Sequence, residues 1–362
     1  MITSPPNKNE VEVTVIGTGG GYGESIVIKA STDSWIIVDS CIHPVSKEPL
    51  SIHYLKTIGV DLNSVELIIC THWHNDHIKG LHKALLQCPN AEFCFSNVND
   101  LGKFLYLCDL DYAKVNKGTV GSTDEFAKCC ELMLNRGQFN ISAYCNSVVF
   151  VNRDPIDFVM HALSPSPKTI NDFNLEISNL ITEFGENNTA MLNNSPNDKS
   201  VALQFSFGNH RVILGADLEI GDSEHNGWRH VLKNCLVIDK NIKSNLYKIP
   251  HHGSNNGYLK EIFDVLINKD GILKITPYNS SGLPREEMIK VYKSHSVNLF
   301  STSLPKEPTR SKKREMSIEK FIDRMADVVE IKFNYGIIRS RIDYTSADAI
   351  WDTELFESAC KI

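Results

Sequence analysis

No run of 18 apolar residues occurs anywhere in this chain of 362, and residues 1–10 are polar, contain two prolines and lack the apolar stretch of a secretory signal. No membrane span or export signal is expected, and a cytoplasmic protein is. Cysteine occurs ten times but never as a C-x-x-C pair, and several cysteines stand in apolar runs such as Leu67–Cys70. Reduced, buried thiols are expected, not a disulfide lattice. Positive charge is in deficit, with 37 Lys and Arg against 44 Asp and Glu and a net charge of -7. This argues against a surface that clamps long nucleic acid by charge alone, while leaving room for a local basic patch or a metal-lined cleft. Neither GK[ST] nor a helix-opening G-x-G-x-x-G is present, so Gly17, Gly19, Gly20, Gly21 and Gly23 read as a tight turn and not a phosphate cradle. The absence of a nucleophile elbow leaves no basis for a serine triad.

What is present is globular in composition, 42% hydrophobic and 22% charged, with no repeat or low-complexity tract. The length allows one large domain with an appendage, or two compact ones. Strand patterns with period two run over Val11–Ile16, Ser25–Lys29 and Trp35–Val38. A helix pattern over Ser51–Ile58 leads to a strand at Glu66–Cys70, and a second helix follows at Leu81–Gln87. Residues 97–153 turn helical, with a capping box at Ser122–Glu125, and read as an inserted lid. Strands and helices then alternate again: Phe158–Leu163, Ile170–Phe184, a polar loop over 186–199, and a hairpin over Val201–Gly215 turning at Gly208 and Asn209. They continue through Leu246–Pro250, Ile272–Pro277, Arg285–Lys293 and Val297–Ser301. Residues 305–314 form a basic linker, followed by a short helix at 318–325 and a hairpin at 329–344. The expected division is a domain over 1–305 and an extension over 306–362.

The chemistry concentrates in Thr71–His77, directly after an apolar strand. His72, His74, Asp76 and His77 put three imidazoles and a carboxylate within six positions, far more donor atoms than a fold requires. Such nitrogen and oxygen donors suit zinc, manganese or iron(II) better than calcium or magnesium.

At this H-x-H-x-D-H the chain resembles the metallo-β-lactamase superfamily, and within it the soluble hydrolase domain of the competence protein ComEC and its stand-alone relatives. Further segments are similar in the same order: the glycine-rich turn over 17–27, Trp35–Ser40 ending in Asp39, Ser200–Leu203, Val212–Asp217, the HHGS element at His251–Ser254, and Tyr278–Pro284 with Phe300–Thr302. The resemblance covers residues 10–303. It implies an α/β fold, an αββα sandwich with metals at one edge, carrying a helical insertion and a small C-terminal extension.

Carried over by position, the resemblance gives His72 and His74 to one metal and Asp76 and His77 to a second, with Asp217 bridging. His251 or His252 completes the second site, His251 being favoured because it follows the strand immediately. Asp39 would hold a ligand imidazole, although a turn aspartate is as good a local reading. The stretch His161–Lys168 lacks the Pro-Gly-His turn of many members, so the first site is one donor short. His161 is a fallback ligand, and Cys41 reads better as a buried thiol. Lys248, Ser254, Asn279 and Ser281 are candidate leaving-group donors.

The expected cofactor is Zn²⁺ or Mn²⁺, one or two per chain. The expected activity is that of a phosphodiesterase or nuclease using a metal-bound hydroxide, oriented by Asp76 with His251 as a second catalytic residue. Nucleic acid or a small phosphodiester would be the substrate. Alternatives are hydrolysis of an ester, thioester or lactam in a small metabolite, or a non-enzymatic, metal-stabilised partner protein of a defence or competence system. A protein partner could be met through 306–362.

Overall fold

Short apolar strands that alternate with amphipathic helices must bury their apolar faces in packed layers, and sheets stacked face to face with helices on the outer faces are one way to do so. The computed structural model describes residues 2–18, 23–115, 122–138, 140–187, 196–305, 335–346 and 349–362. Its strands are β1 (Glu10–Thr18), β2 (Glu24–Ser31), β3 (Ser34–Val38), β4 (Val65–Cys70), β5 (Glu92–Ser96), β6 (Ile141–Ala143), β7 (Val148–Asn152) and β8 (Phe158–Ala162). They continue with β9 (Leu203–Phe207), β10 (His210–Leu214), β11 (Ser244–Lys248), β12 (Ile267–Ile275), β13 (Leu299–Ser301), β14 (Tyr335–Asp343), β15 (Asp352–Glu357) and β16 (Cys360–Lys361). The helices are α1 (Leu50–Thr57), α2 (Asn75–Ile78), α3 (Leu81–Gln87), α4 (Leu101–Val115), α5 (Ser122–Asn135), α6 (Pro167–Asn187), α7 (Gly227–Asn234), α8 (Lys260–Leu266) and α9 (Glu286–His295).

Two eight-stranded sheets result, ordered β15-β14-β1-β2-β3-β4-β5-β6 and β16-β13-β12-β11-β10-β9-β8-β7. Period-two side chains fill the space between them: Val11, Val13 and Val15 of β1 and Leu67 and Ile69 of β4 share one cluster with Phe205 of β9 and Leu246 of β11. The opposite faces are covered by helices: Ile68 and Phe93 lie with residues of α1, α3 and α5, and Ile213 and Tyr247 with residues of α7, α8 and α9. This is the expected αββα sandwich. Strands β3 to β6 and β10 to β13 pair in parallel. Their carboxyl ends lie where open α/β sheets place their ligands. No helix among the described residues is long and apolar enough to cross a membrane.

Two boundaries differ from expectation. The helical segment ends with α5; residues 141–143 and 148–152 are β6 and β7, the outermost strands of the two sheets. Three and five residues, half exposed at an edge, leave little alternation to read. Nor is the C-terminal segment an appendage where it is described. Residues 335–343 are not one arm and the turn of a hairpin but a nine-residue strand, paired from Glu10↔Asp343 to Thr18↔Tyr335 with β1 and on its other side with β15. β16 closes the second sheet. The basic stretch 306–314, the helix at 318–325, residues 329–334 of the hairpin, Gly19–Gly21 and residues 188–195 of the polar loop lie outside the described residues.

The two halves of α4–α5 pack behind the metal-motif loop. Trp73 stacks on Phe173 of α6 with centroids 5.4 Å apart and meets Phe104 of α4 at 5.0 Å, while Glu125 of α5 accepts the backbone N–H groups of Gly80 and His82 at 3.1 Å. The expected lid is therefore, in its described part, a buttress.

Between the sheets lies Lys274 of β12, fully buried, its ammonium donating to the carbonyls of Val13 (2.7 Å) and Ile338 (3.1 Å). Burial pushes its pKa well below the usual 10.5, with Glu12 pulling it up. Between that depressed value and 10.5 the unfolded chain binds more protons than the folded one, so this residue makes stability rise with pH across the interval. Lys274→Met is expected to be about 1 kcal/mol more stable than the parent at pH 7, because an isosteric apolar side chain avoids the desolvation cost. The gain should shrink as pH approaches 10.5. Denaturant unfolding of both proteins at several pH values checks this, and a pH-independent difference would remove Lys274 from the account.

Candidate metal centre

Apart from the fallback His161, which lies within the antiparallel strand β8, the metal donors named in the sequence sit at the carboxyl ends of strands that pair in parallel. His72, His74, Asp76 and His77 follow β4, the last two within α2; Asp39 follows β3, Asp217 follows β10, and His251 and His252 follow β11. Gly23, at φ +126°, is required here because a Cβ would collide with the carbonyl oxygen of Asp76.

Two donor groups meet at one carboxylate. Asp76, His77, Asp217 and His252 form the first; His72, His74 and Asp217 form the second. Asp217 Oδ1 lies 3.3 Å from His77 Nε2, and its Oδ2 lies 3.7 Å from His252 Nε2 and 3.8 Å from His72 Nε2. Asp76 Oδ2 lies 3.0 Å from His252 Nε2 and 3.9 Å from His77 Nε2. The rings of His72 and His74 are 5.0 Å apart.

Each inward Nε2 is aimed by what holds the other ring nitrogen. His77 Nδ1 is 2.7 Å from Asp39 Oδ2, and Asp39 also accepts the Thr71 N–H at 2.8 Å and its hydroxyl at 2.7 Å. His252 Nδ1 is 3.0 Å from the Thr276 carbonyl; a carbonyl only accepts, so this nitrogen carries the proton and Nε2 is left as donor atom. His72 Nδ1 meets the hydroxyls of Thr71 at 3.0 Å and Ser200 at 3.5 Å. This is the arrangement that metal-bound histidines need.

Three of the converging atoms, His72 Nε2, His77 Nε2 and Asp217 Oδ1, are buried without a well-aligned hydrogen bond, the last two facing each other at 3.3 Å. Buried polar atoms are rarely orphaned, and three at one point fit a cation bound among them. The electrostatics agree. Burial depresses the His72 pKa well below 6.5. Burial would do the same to His77 and His252, but the surrounding carboxylates outweigh it: Asp217, Asp39 and Asp76 hold His77 well above 6.5, and Asp217 and Asp76 raise His252. Burial opposes ionisation of Asp217 and Asp76 too, yet the imidazoles hold both below the usual carboxylate range. A cation entering the site would displace protons from His77 and His252, so its binding should weaken in acid. Burial raises the Asp39 pKa, with its His77 and Thr71 bonds opposing.

The preference for His251 over His252 is corrected by this geometry. Both residues take left-handed backbone angles, φ 47° and 53°, and the kink sends them apart. His251 faces Asn197 Nδ2 at 3.2 Å and Glu219 Oε1 at 3.5 Å and belongs to neither donor group. It does line the site's cavity of about 300 Å³, together with His74, Asn75, Asp76, Asp217, His252, Tyr278, Ser281 and Leu283. Of the four proposed leaving-group donors only Ser281 lines that cavity. Lys248 is fully buried against Glu24, Ser254 bonds Asn256, and Asn279 donates to the Leu304 carbonyl at 3.5 Å. His161 and Cys41 join neither donor group, and burial, then Glu24, Asp39 and Asp76, push the Cys41 thiol up. Sequence reasoning missed Glu24, Ser200 and Thr276, whose contacts to the centre span tens to hundreds of residues.

Asp39→Ala is expected to weaken metal binding by about 10- to 100-fold, as loss of an imidazole-orienting carboxylate does. Competition against a chromogenic chelator measures it, and an unchanged affinity would contradict the role given to Asp39.

An αββα sandwich with imidazoles and carboxylates gathered at the strand ends defines a metal-binding hydrolase fold. The profile of the metallo-beta-lactamase superfamily matches residues 18–272, and the chain belongs to that superfamily. Over 84 residues it is 32% identical to the anti-Pycsar protein Apyc1 of Bacillus phage 010DV004, a match spanning 22% of this chain and 30% of the phage protein. Among solved structures it is similar to a Cronobacter sakazakii metallo-beta-lactamase with an HARLDQ motif, at 11% identity over 58% of this chain and 63% of that one, with TM-score 0.34. It is also similar to the hydrolase AbOPH, at 13% identity over 54% and 55%, with TM-score 0.33.

Proposed function

We propose that this hydrolase is a phosphodiesterase that works with two divalent cations, Zn²⁺ or Mn²⁺. The observation that carries the reading is the sharing of Asp217 by both donor groups, with one oxygen toward His77 and the other toward His252 and His72. When bound, a pair of such cations supplies a nucleophile from water at neutral pH and neutralises charge on the attacking and leaving oxygens of a displacement at phosphorus. The first would be held by Asp76, His77, His252 and Asp217, the second by His72, His74 and Asp217. Asp76, kept ionised and lining the cavity, is placed to accept and orient a proton of the attacking water. His251 and Ser281 line the same cavity, where they would contact the substrate.

A cavity of about 300 Å³ and a net charge of -7 favour a small phosphodiester, or the end of a single strand, over a long duplex. The ComEC-like order of motifs supports phosphodiester chemistry, and the 84-residue likeness to a phage anti-Pycsar protein covers 30% of that protein. The test supplies Zn²⁺- or Mn²⁺-loaded protein with bis(p-nitrophenyl) phosphate, cyclic nucleotides, RNA, and single-stranded and duplex DNA. Turnover of a small diester that chelator abolishes is expected. Two bound metals with no diester hydrolysed would overturn the reading, and turnover of a lactam or thioester alone would replace it.

A further inference from the structure

Lys248 and Glu24 form a charged pair with no exposure to water to account for it. Lys248 ends β11 in one sheet and Glu24 begins β2 in the other; they are 0% and 1% exposed, and ammonium meets carboxylate across the sandwich beside the metal centre. A buried ion pair is weak support for stability, because well-packed apolar side chains of the same size often serve as well. Its neighbours indicate another role. Lys248 Nζ lies 3.5 Å from the carbonyl oxygen of Ala216, which also accepts the His251 N–H at 2.9 Å. The other end of the same peptide, the Asp217 N–H, donates to Ser200 Oγ at 3.0 Å. The peptide leading into Asp217 is thus gripped at both ends. Ala216 needs the grip, since it holds φ 45° with a Cβ in place, a conformation that persists only where its surroundings over-determine it. Lys248 also engages Glu24 Oε1, the oxygen 4.0 Å from His77 Nδ1, and so keeps Glu24 from competing with Asp39 for that nitrogen.

We propose that Lys248, neutralised by Glu24, is a positioning residue that sets Asp217 between the two metal sites through the Ala216 carbonyl. The proposal rests on the two-cation reading of the centre, not on the identity of the substrate. Three variants of the full chain test it: Lys248→Met, Glu24→Gln and the double variant, in which no unpaired buried charge remains. Each is titrated with Co²⁺ while the cobalt absorption bands are recorded, and thermal unfolding of the metal-free protein is followed alongside. Lys248→Met should bind the second equivalent at least about tenfold more weakly, the effect typical of residues behind the ligands, with shifted bands. The double variant should regain the melting temperature but not the affinity or the spectrum. If it regains all three the pair is merely structural, and if it fails to fold the pair serves the fold itself; either result overturns the proposal. Parent protein that takes up no second equivalent of Co²⁺ overturns the two-cation reading and this proposal with it, and that outcome is visible before any variant is made.

Discussion

Asp217→Asn is expected to lower metal content from two equivalents to one or none and to reduce kcat/KM for a phosphodiester by about 10³-fold or more, about 4 kcal/mol of transition-state stabilisation. The substitution keeps the shape and volume of the side chain, and the backbone N–H bond to Ser200 does not involve the group that changes. What is lost is a charge shared by both donor groups. Asp217 is 2% exposed, and despite that burial the imidazoles of His77, His252 and His72 keep its pKa well below 3.8. An amide nitrogen aimed at any of those rings would present a donor where a cation is to bind. The same replacement removes a main counter-charge of His77, whose raised pKa depends on Asp217 before Asp39 and Asp76. The metal-free variant should therefore also unfold more easily at neutral pH. Elemental analysis, steady-state kinetics and a melting curve make the check. Two full equivalents with activity within tenfold of the parent would contradict a bridging role.

The parts of this centre that were legible in sequence are the local ones. His72 to His77 announce themselves because four donors fall within one loop after one apolar strand; Asp39 and Asp217, each an acid at the end of an apolar run, enter only through the resemblance, and Asp39 by itself reads equally well as a turn residue. The choice between His251 and His252 was not legible. Both follow β11, and what separates them is a pair of left-handed residues and a carbonyl, Thr276, presented by the next strand. Glu24 and Lys248 are 224 residues apart, and no local pattern pairs a turn glutamate with a strand lysine. The same holds for the fold. Strand periodicity gave most of both sheets, but β14 sits beside β1 through a ladder joining opposite ends of the chain. Its place is decided by an open sheet edge that only the folded structure presents.

His251 and His252 provide the sharpest comparison, because two adjacent identical side chains are assigned different work. His252→Ala removes a nitrogen 3.0 Å from Asp76 and 3.7 Å from Asp217, and the loss of one donor in four should cost the first cation site most of its affinity. A fall in kcat/KM of about 10²- to 10³-fold is expected, with metal content dropping toward one equivalent. His251→Ala leaves both donor groups intact. Its ring lies against Asn197 and Glu219 on the cavity wall, and burial first of all lowers its pKa, so near neutral pH it meets a substrate as an uncharged hydrogen-bonding group. Two equivalents of metal should be retained, and activity should fall by about tenfold, the value of one hydrogen bond to substrate. The ordering matters more than either magnitude: metal content separates the two variants even if their rates converge. Loss of metal from His251→Ala with retention in His252→Ala would reverse the assignment and return the ligand role to the first histidine of the pair.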